Sequence, residues 1–234
     1  PQKLYAEGGM ERIVEDTKEK DALLKSLGIN VNCAPVADVS TNSADFIHSR
    51  SFGQDAQATA DFTAQVVAQM GRDQIGSTLK HFPGYGSNVD THTGIAHDER
   101  PYEQFVAEDF LPFVSCIEAG AGSVMVSHNI VTCMDADFPA SISPEVHRVL
   151  REELGFEGVI LTDDLVMDAI TKQYGAGEAA VLAVLAGNDV LCCTEYAVQY
   201  EAVLEAVLTG RIDFYDLNDA VMRILRWKQE LGLI

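Results

Sequence analysis

Four apolar runs along this chain each lead into ionisable residues, and that pairing limits the folds open to it. Residues 29–36 lead to Asp38, 77–79 to Lys80-His81, 123–126 to His128, and 158–161 to Asp163-Asp164. A run apolar on both faces reads as a strand covered on both sides, as in a parallel sheet. Helical patterns separate the runs, so the repeating unit is a strand followed by a helix. Ligands of such sheets lie beyond the carboxyl ends of the strands, where these polar residues stand. Residue order alone therefore marks a site.

The intervening segments carry their own punctuation. Residues 7–27 have helical spacing and close on Gly28. Asp55 is placed to cap a helix whose apolar face carries Phe62, Val66, Val67 and Met70 and which stops at Gly71. A long polar loop runs from Lys80-His81-Phe82-Pro83-Gly84-Tyr85-Gly86 to Pro101, and loops of that length are usually functional. A helix over 102–119 is expected to break near Pro112, and Ser143-Pro144 opens another that reaches Gly155. A helix over 178–186, a strand over 190–193 and a last helix over 216–231 complete the pattern. Five strand–helix units result, too few to close a barrel of eight.

Composition excludes several roles. Hydrophobic residues make up 47% of the 234, enough for a substantial core. Sixteen Lys and Arg against 36 Asp and Glu give a net charge of −20. Nucleic acid and anionic membranes both need a basic footprint, so neither is expected as a partner. No stretch is long and apolar enough to span a bilayer. Cys33, Cys116, Cys133, Cys192 and Cys193 show no metal-ligand spacing. They read as buried thiols of a reducing compartment, which points to the cytoplasm.

The chemistry concentrates in a few residues. Asp163 follows the strand at 159–161 with only Thr162 between, where a carboxylate can attack an electrophilic carbon such as a sugar anomeric centre. Neighbours on an extended strand point to opposite faces, so Asp164 should have a different task, capping the next turn being the simplest. Asp90-Thr91-His92 places a carboxylate and an imidazole two residues apart, on one side of an extended loop. Asp90 would favour the imidazolium and make His92 an acid near neutrality. Lys80, His81 and Arg50 offer hydrogen-bond donors to a ligand. His128 reads as packing against a loop, and His97 and His147 as surface residues.

Lys80-His81-Phe82-Pro83-Gly84-Tyr85-Gly86 with Asp90-Thr91-His92 resembles glycoside hydrolase family 3. The likeness continues through Arg50-Ser51-Phe52, the segment 153–160, Thr162-Asp163-Asp164-Leu165 and the segment 218–226. The loop with Asp90 and His92 is similar to that of the bacterial β-N-acetylglucosaminidase branch. Tyr85 stands where many members have a second histidine. The resemblance implies an α/β fold, a TIM-type (β/α)8 barrel, with residues 1–234 as the later portion of its catalytic domain. Family barrels have further strands upstream, one with an Asp-x-Glu-Gly-Gly-type motif, which Ala6-Glu7-Gly8-Gly9 does not copy well. An incomplete barrel is therefore the expectation.

By the same resemblance Asp163 is the nucleophile, His92 the acid/base and Asp90 its partner, while Lys80, His81 and Arg50 grip the sugar. No cofactor or metal is implied, and the partner is a carbohydrate substrate. The implied activity is retaining hydrolysis of terminal β-linked N-acetylglucosamine through a glycosyl-aspartate. Alternatives are a phosphorylase or other β-glycosidase of the family, a metal-dependent hydrolase using His81, His128 and Asp163, and a silent sugar-binding fragment.

Overall fold

A computed structural model describes residues 1–88 and 96–234. The chain divides into two units: residues 1–87, 103–124 and 228–234 form the first, and 88–102 with 125–227 the second.

In the first unit, helix α1 (Gln2–Ser26) precedes strand β1 (Val31–Asn32), helix α2 (Ala56–Arg72) and strand β2 (Gly76–Phe82). α1 starts earlier than its spacing predicts, and its backbone leaves helical geometry at Gly8 and Gly9. Asp55 caps α2 as expected, its side chain accepting the Ala58 N–H at 2.9 Å. One side of α2 buries Phe62, Val66 and Met70 against Ile13, Phe52 and Ile75, and Phe52 stacks on Phe62 at 4.4 Å.

β1 and β2 pair in parallel, Val31 opposite Gly76. The regular ladder is shorter than the apolar run 29–36, because Pro35 has no N–H to give. Pairing resumes at Val36 opposite Lys80, with the Ala37 N–H donating to Lys80 O at 2.6 Å. β2 runs further than its apolar residues indicate, so Lys80 and His81 lie within the strand and do not follow it.

Helix α3 (Tyr102–Gln104) runs through a π-helical turn, Phe105–Asp109, into helix α4 (Phe110–Glu118). The irregularity precedes Pro112, which sits in the first turn of α4, where a missing N–H costs little. Strand β4 (Ser123–Val126) begins in this unit, where Ser123 Oγ donates to Ser77 O at 3.0 Å. The strand order here is β1-β2-β4.

The second unit continues β4 alongside strand β6 (Val159–Thr162), and the Asp163 N–H donates to Val126 O at 3.0 Å. Strands β3 (His97–Asp98) and β5 (Ile130–Val131) make a separate parallel pair. Ser143 caps helix α5 (Pro144–Arg148), with Pro144 in its first turn, and a second π turn, Val149–Glu153, extends it. Helices α6 (Asp168–Tyr174), α7 (Ala176–Ala186), α8 (Tyr196–Leu208) and α9 (Phe214–Glu230) follow.

The expected strand at 190–193 contributes only a bridge between Val190 and Leu161. There the Cys192 N–H turns to the Thr162 hydroxyl, at 2.9 Å, so a side chain takes the place of a ladder acceptor. Asp189 pins the start of β6: it accepts the Ile160 N–H at 2.8 Å and pairs with Arg151 at 2.6 Å and Arg223 at 2.9 Å.

Among the described residues no helix is long and apolar enough to cross a membrane. Two expectations about side chains fail. Cys33 and Cys133 are exposed, Cys192 and Cys193 half-buried, and only Cys116 is fully buried. His147 is buried, because α5 turns it inward, where its ring Nδ1 donates to Ser143 O at 2.8 Å and its side chain lies beside Gly187.

Candidate functional site

The first unit holds three polar groups gathered by the parallel register of β1 and β2. Val36 lies opposite Lys80, so Asp38 comes level with the end of β2. Its carboxylate is wholly buried and accepts three N–H groups. The His81 backbone and ring Nδ1 donate to Oδ2 at 3.2 and 2.8 Å, and the Tyr85 backbone donates to Oδ1 at 2.8 Å. Arg50, on an exposed turn, donates from Nη2 to His81 Nε2 at 3.4 Å. The Tyr85 ring packs edge-on against the imidazole at 5.6 Å.

The turn after β2 is close-fitted. Gly84 has φ +132°, and a Cβ there would stand 2.6 Å from Asp109 Cβ and Cγ. Phe82 stacks on Phe110 at 5.8 Å and meets Phe113 edge-on at 5.2 Å, which anchors the strand end beneath the turn. Lys80 is half-buried in β2.

In the second unit, Asp163 leaves β6 half-exposed, with its Oδ1 accepting the Asp164 N–H at 2.9 Å. The two acids have different surroundings. Asp164 caps a turn, Oδ1 accepting the Val166 N–H at 3.1 Å and Oδ2 the Thr194 hydroxyl at 2.5 Å. His128 is buried: the Ser141 hydroxyl meets Nδ1 at 2.7 Å, and Nε2 donates to Asp164 O at 3.0 Å. It serves loop packing, and both ring nitrogens are engaged. His81 likewise has a partner at each ring nitrogen. His97 is exposed as expected.

Asp90 and His92 lie outside the described residues. Lys80, His81 and Arg50 fall in one unit, where Arg50 and His81 are in contact; Asp163 falls in the other. Asp38 and Tyr85 join the first group through contacts that residue types alone did not reveal. For Asp38 the signal was present, an acidic residue at the carboxyl end of an apolar run.

These features define an α/β domain on parallel strands with polar groups at the strands' carboxyl ends. The chain belongs to the glycosyl hydrolase family 3 N terminal domain family, whose model matches residues 2–227. It is similar to the structure of a glycoside hydrolase family 3 β-N-acetylglucosaminidase from Paenibacillus sp. str. FPU-7. That match has a TM-score of 0.94 and 34% identity, and covers 99% of this chain and 46% of the other. Its fold class is therefore that of the family's TIM-type domain.

A β-hexosaminidase of Xanthomonas campestris pv. campestris (strain B100) is 34% identical over 192 residues, 80% of this chain and 58% of the relative. One from Stenotrophomonas maltophilia (strain K279a) is 38% identical over 200 residues, 81% of this chain and 59% of the relative. The chain thus spans less than two thirds of the length of these relatives.

Proposed function

We propose that residues 1–234 belong to the catalytic barrel domain of a retaining exo-glycosidase that releases terminal β-linked N-acetylglucosamine. The observation that carries this reading is the unequal pair at the end of β6. Both are half-exposed, but Asp164 has both oxygens tied to its own turn and to Thr194, whereas Asp163 has only Oδ1 on the next N–H among the described residues. A nucleophilic carboxylate needs an oxygen left for the reacting carbon. The names of the similar proteins, β-hexosaminidase and β-N-acetylglucosaminidase, support the substrate class. The charge of −20 suits a neutral sugar better than an anionic polymer, and the thiol content suits the cytoplasm.

In this mechanism Asp163 attacks the anomeric carbon while His92, partnered by Asp90, protonates the leaving oxygen. Water activated by the same imidazole then displaces the aspartate, and two inversions restore the configuration. Lys80, His81 and Arg50 belong to the sugar's grip. A 5-fluoro N-acetylglucosaminide with a good leaving group should label Asp163, identified by mass spectrometry of the peptide. Asp163→Ala should lower turnover roughly a thousandfold or more. Label on Asp164, or an inverted product by NMR, would refute the assignment.

A further inference from the structure

We infer that Asp38 is a positioning residue for the sugar-gripping group of the first unit, acting through His81 on Arg50. The inference rests on the glycosidase reading above for the identity of the ligand. Asp38 has no exposed surface, so it does not itself meet a sugar. It takes both the backbone N–H and the ring Nδ1 of one residue, which fixes the side-chain torsions of His81 as well as its position. A carboxylate accepts and does not donate, so Nδ1 carries the imidazole hydrogen. Nε2 is then a bare lone pair. Arg50 can only donate, and its Nη2 stands 3.4 Å away. Tyr85, held by the other oxygen of Asp38, closes the edge of the ring.

The chain of command is therefore carboxylate, imidazole, guanidinium. With the opposite tautomer, an Nε2–H would confront an arginine N–H, and Arg50 would lose its seat. Arg50 is exposed, and guanidinium carries five N–H donors, so the rest of its fork is available to hydroxyl and amide oxygens of a sugar.

Asp38→Ala isolates this role, since it removes every acceptor of the three N–H groups. Asn would not, because an amide oxygen at the Oδ2 position keeps both His81 bonds. Without the carboxylate the imidazole is no longer held to carry its hydrogen on Nδ1, and the Nε2–H form becomes populated.

The test is ¹⁵N–¹H NMR of the His81 ring at pH 7, its signals identified by their loss in His81→Phe. It is combined with N-acetylglucosamine titration and with KM and kcat on a chromogenic N-acetylglucosaminide. The wild type should show the hydrogen on Nδ1 alone, and Asp38→Ala should show a share of it on Nε2. Sugar binding in that variant should weaken about tenfold, the size of one lost hydrogen bond to a charged group, with KM rising more than kcat falls. Arg50→Ala should weaken binding similarly and leave the tautomer alone.

A hydrogen on Nε2 in the wild type would overturn the inference even if Asp38→Ala fails to fold. So would an Asp38→Ala protein with unchanged tautomer and KM. If the tautomers behave as stated but the wild type neither binds nor cleaves the sugar, the glycosidase reading falls, and the hold of Asp38 on His81 survives it.

Discussion

Buried carboxylates in this chain differ by whether donors reach them. Asp38 has three N–H partners, whereas Asp21 on α1 is buried with neither oxygen within hydrogen-bonding reach of a settled donor. Burial, and then the neighbouring Asp73 carboxylate, push the Asp21 pKa up to about 6; Lys25 and Lys20 offset this in part. The folded state therefore holds a proton that the unfolded chain releases near ~3.9. Stability should be highest below that value, fall as pH rises towards 6, and stay reduced above it. Asp21→Asn can donate to Asp73 at every pH. It should raise stability at pH 7 by about 1 kcal/mol, after allowance for solvent screening, and flatten this slope. Urea unfolding at pH 4 and pH 7 measures both; an unchanged slope would show that Asp21 ionises normally.

At the scale of elements, local signals were legible and long-range ones were not. Asp55 and Ser143-Pro144 announce their helices because a cap depends on residues three positions away. The lengths of β1, β2 and the 190–193 segment depend on which partner offers an acceptor, and no apolar run records that. The placement of polar groups was legible to the same extent: Asp163 stands past the end of β6 as its apolar run indicates, while the junction of Asp38 with His81 needs the register. Two substitutions separate these cases in denaturant melts. Asp55→Ala removes a cap and should cost about 1 kcal/mol. Asp189→Ala leaves Arg151 and Arg223 without their shared carboxylate at the start of β6 and should cost about 3 kcal/mol. Equal losses would mean that the buried ion pairs add nothing to the cap's scale.

Across the whole molecule, composition indicated a large core and an acidic surface but misjudged the thiols. Cysteine type predicts burial on average, whereas Cys33 and Cys133 ended up on exposed stretches. Cys116 packs inside the first unit, where desolvation pushes its pKa up to about 12. A disulfide reagent at pH 8 should therefore modify Cys33 and Cys133 in the native protein and reach Cys116 only on unfolding. Early modification of Cys116, read by peptide mass, would show that the first unit opens far more readily than its burial implies. His147 is a similar case: it packs beside Gly187, forty residues away and beyond any local pattern.

The Asp38–His81 junction also has a history in time. Its partners are 43 residues apart, and nothing local brings them together. Their bond must await the crossover through α2 and the docking of β2 on β1, so the loop-closure entropy is spent before this contact returns anything. The cap at Asp55 can form while the chain is still open. In a chevron analysis, Asp55→Ala should slow folding, while Asp38→Ala should leave the folding limb unmoved and hasten unfolding. The Asp38–His81–Arg50 group would then be among the last features to assemble and the first to come undone.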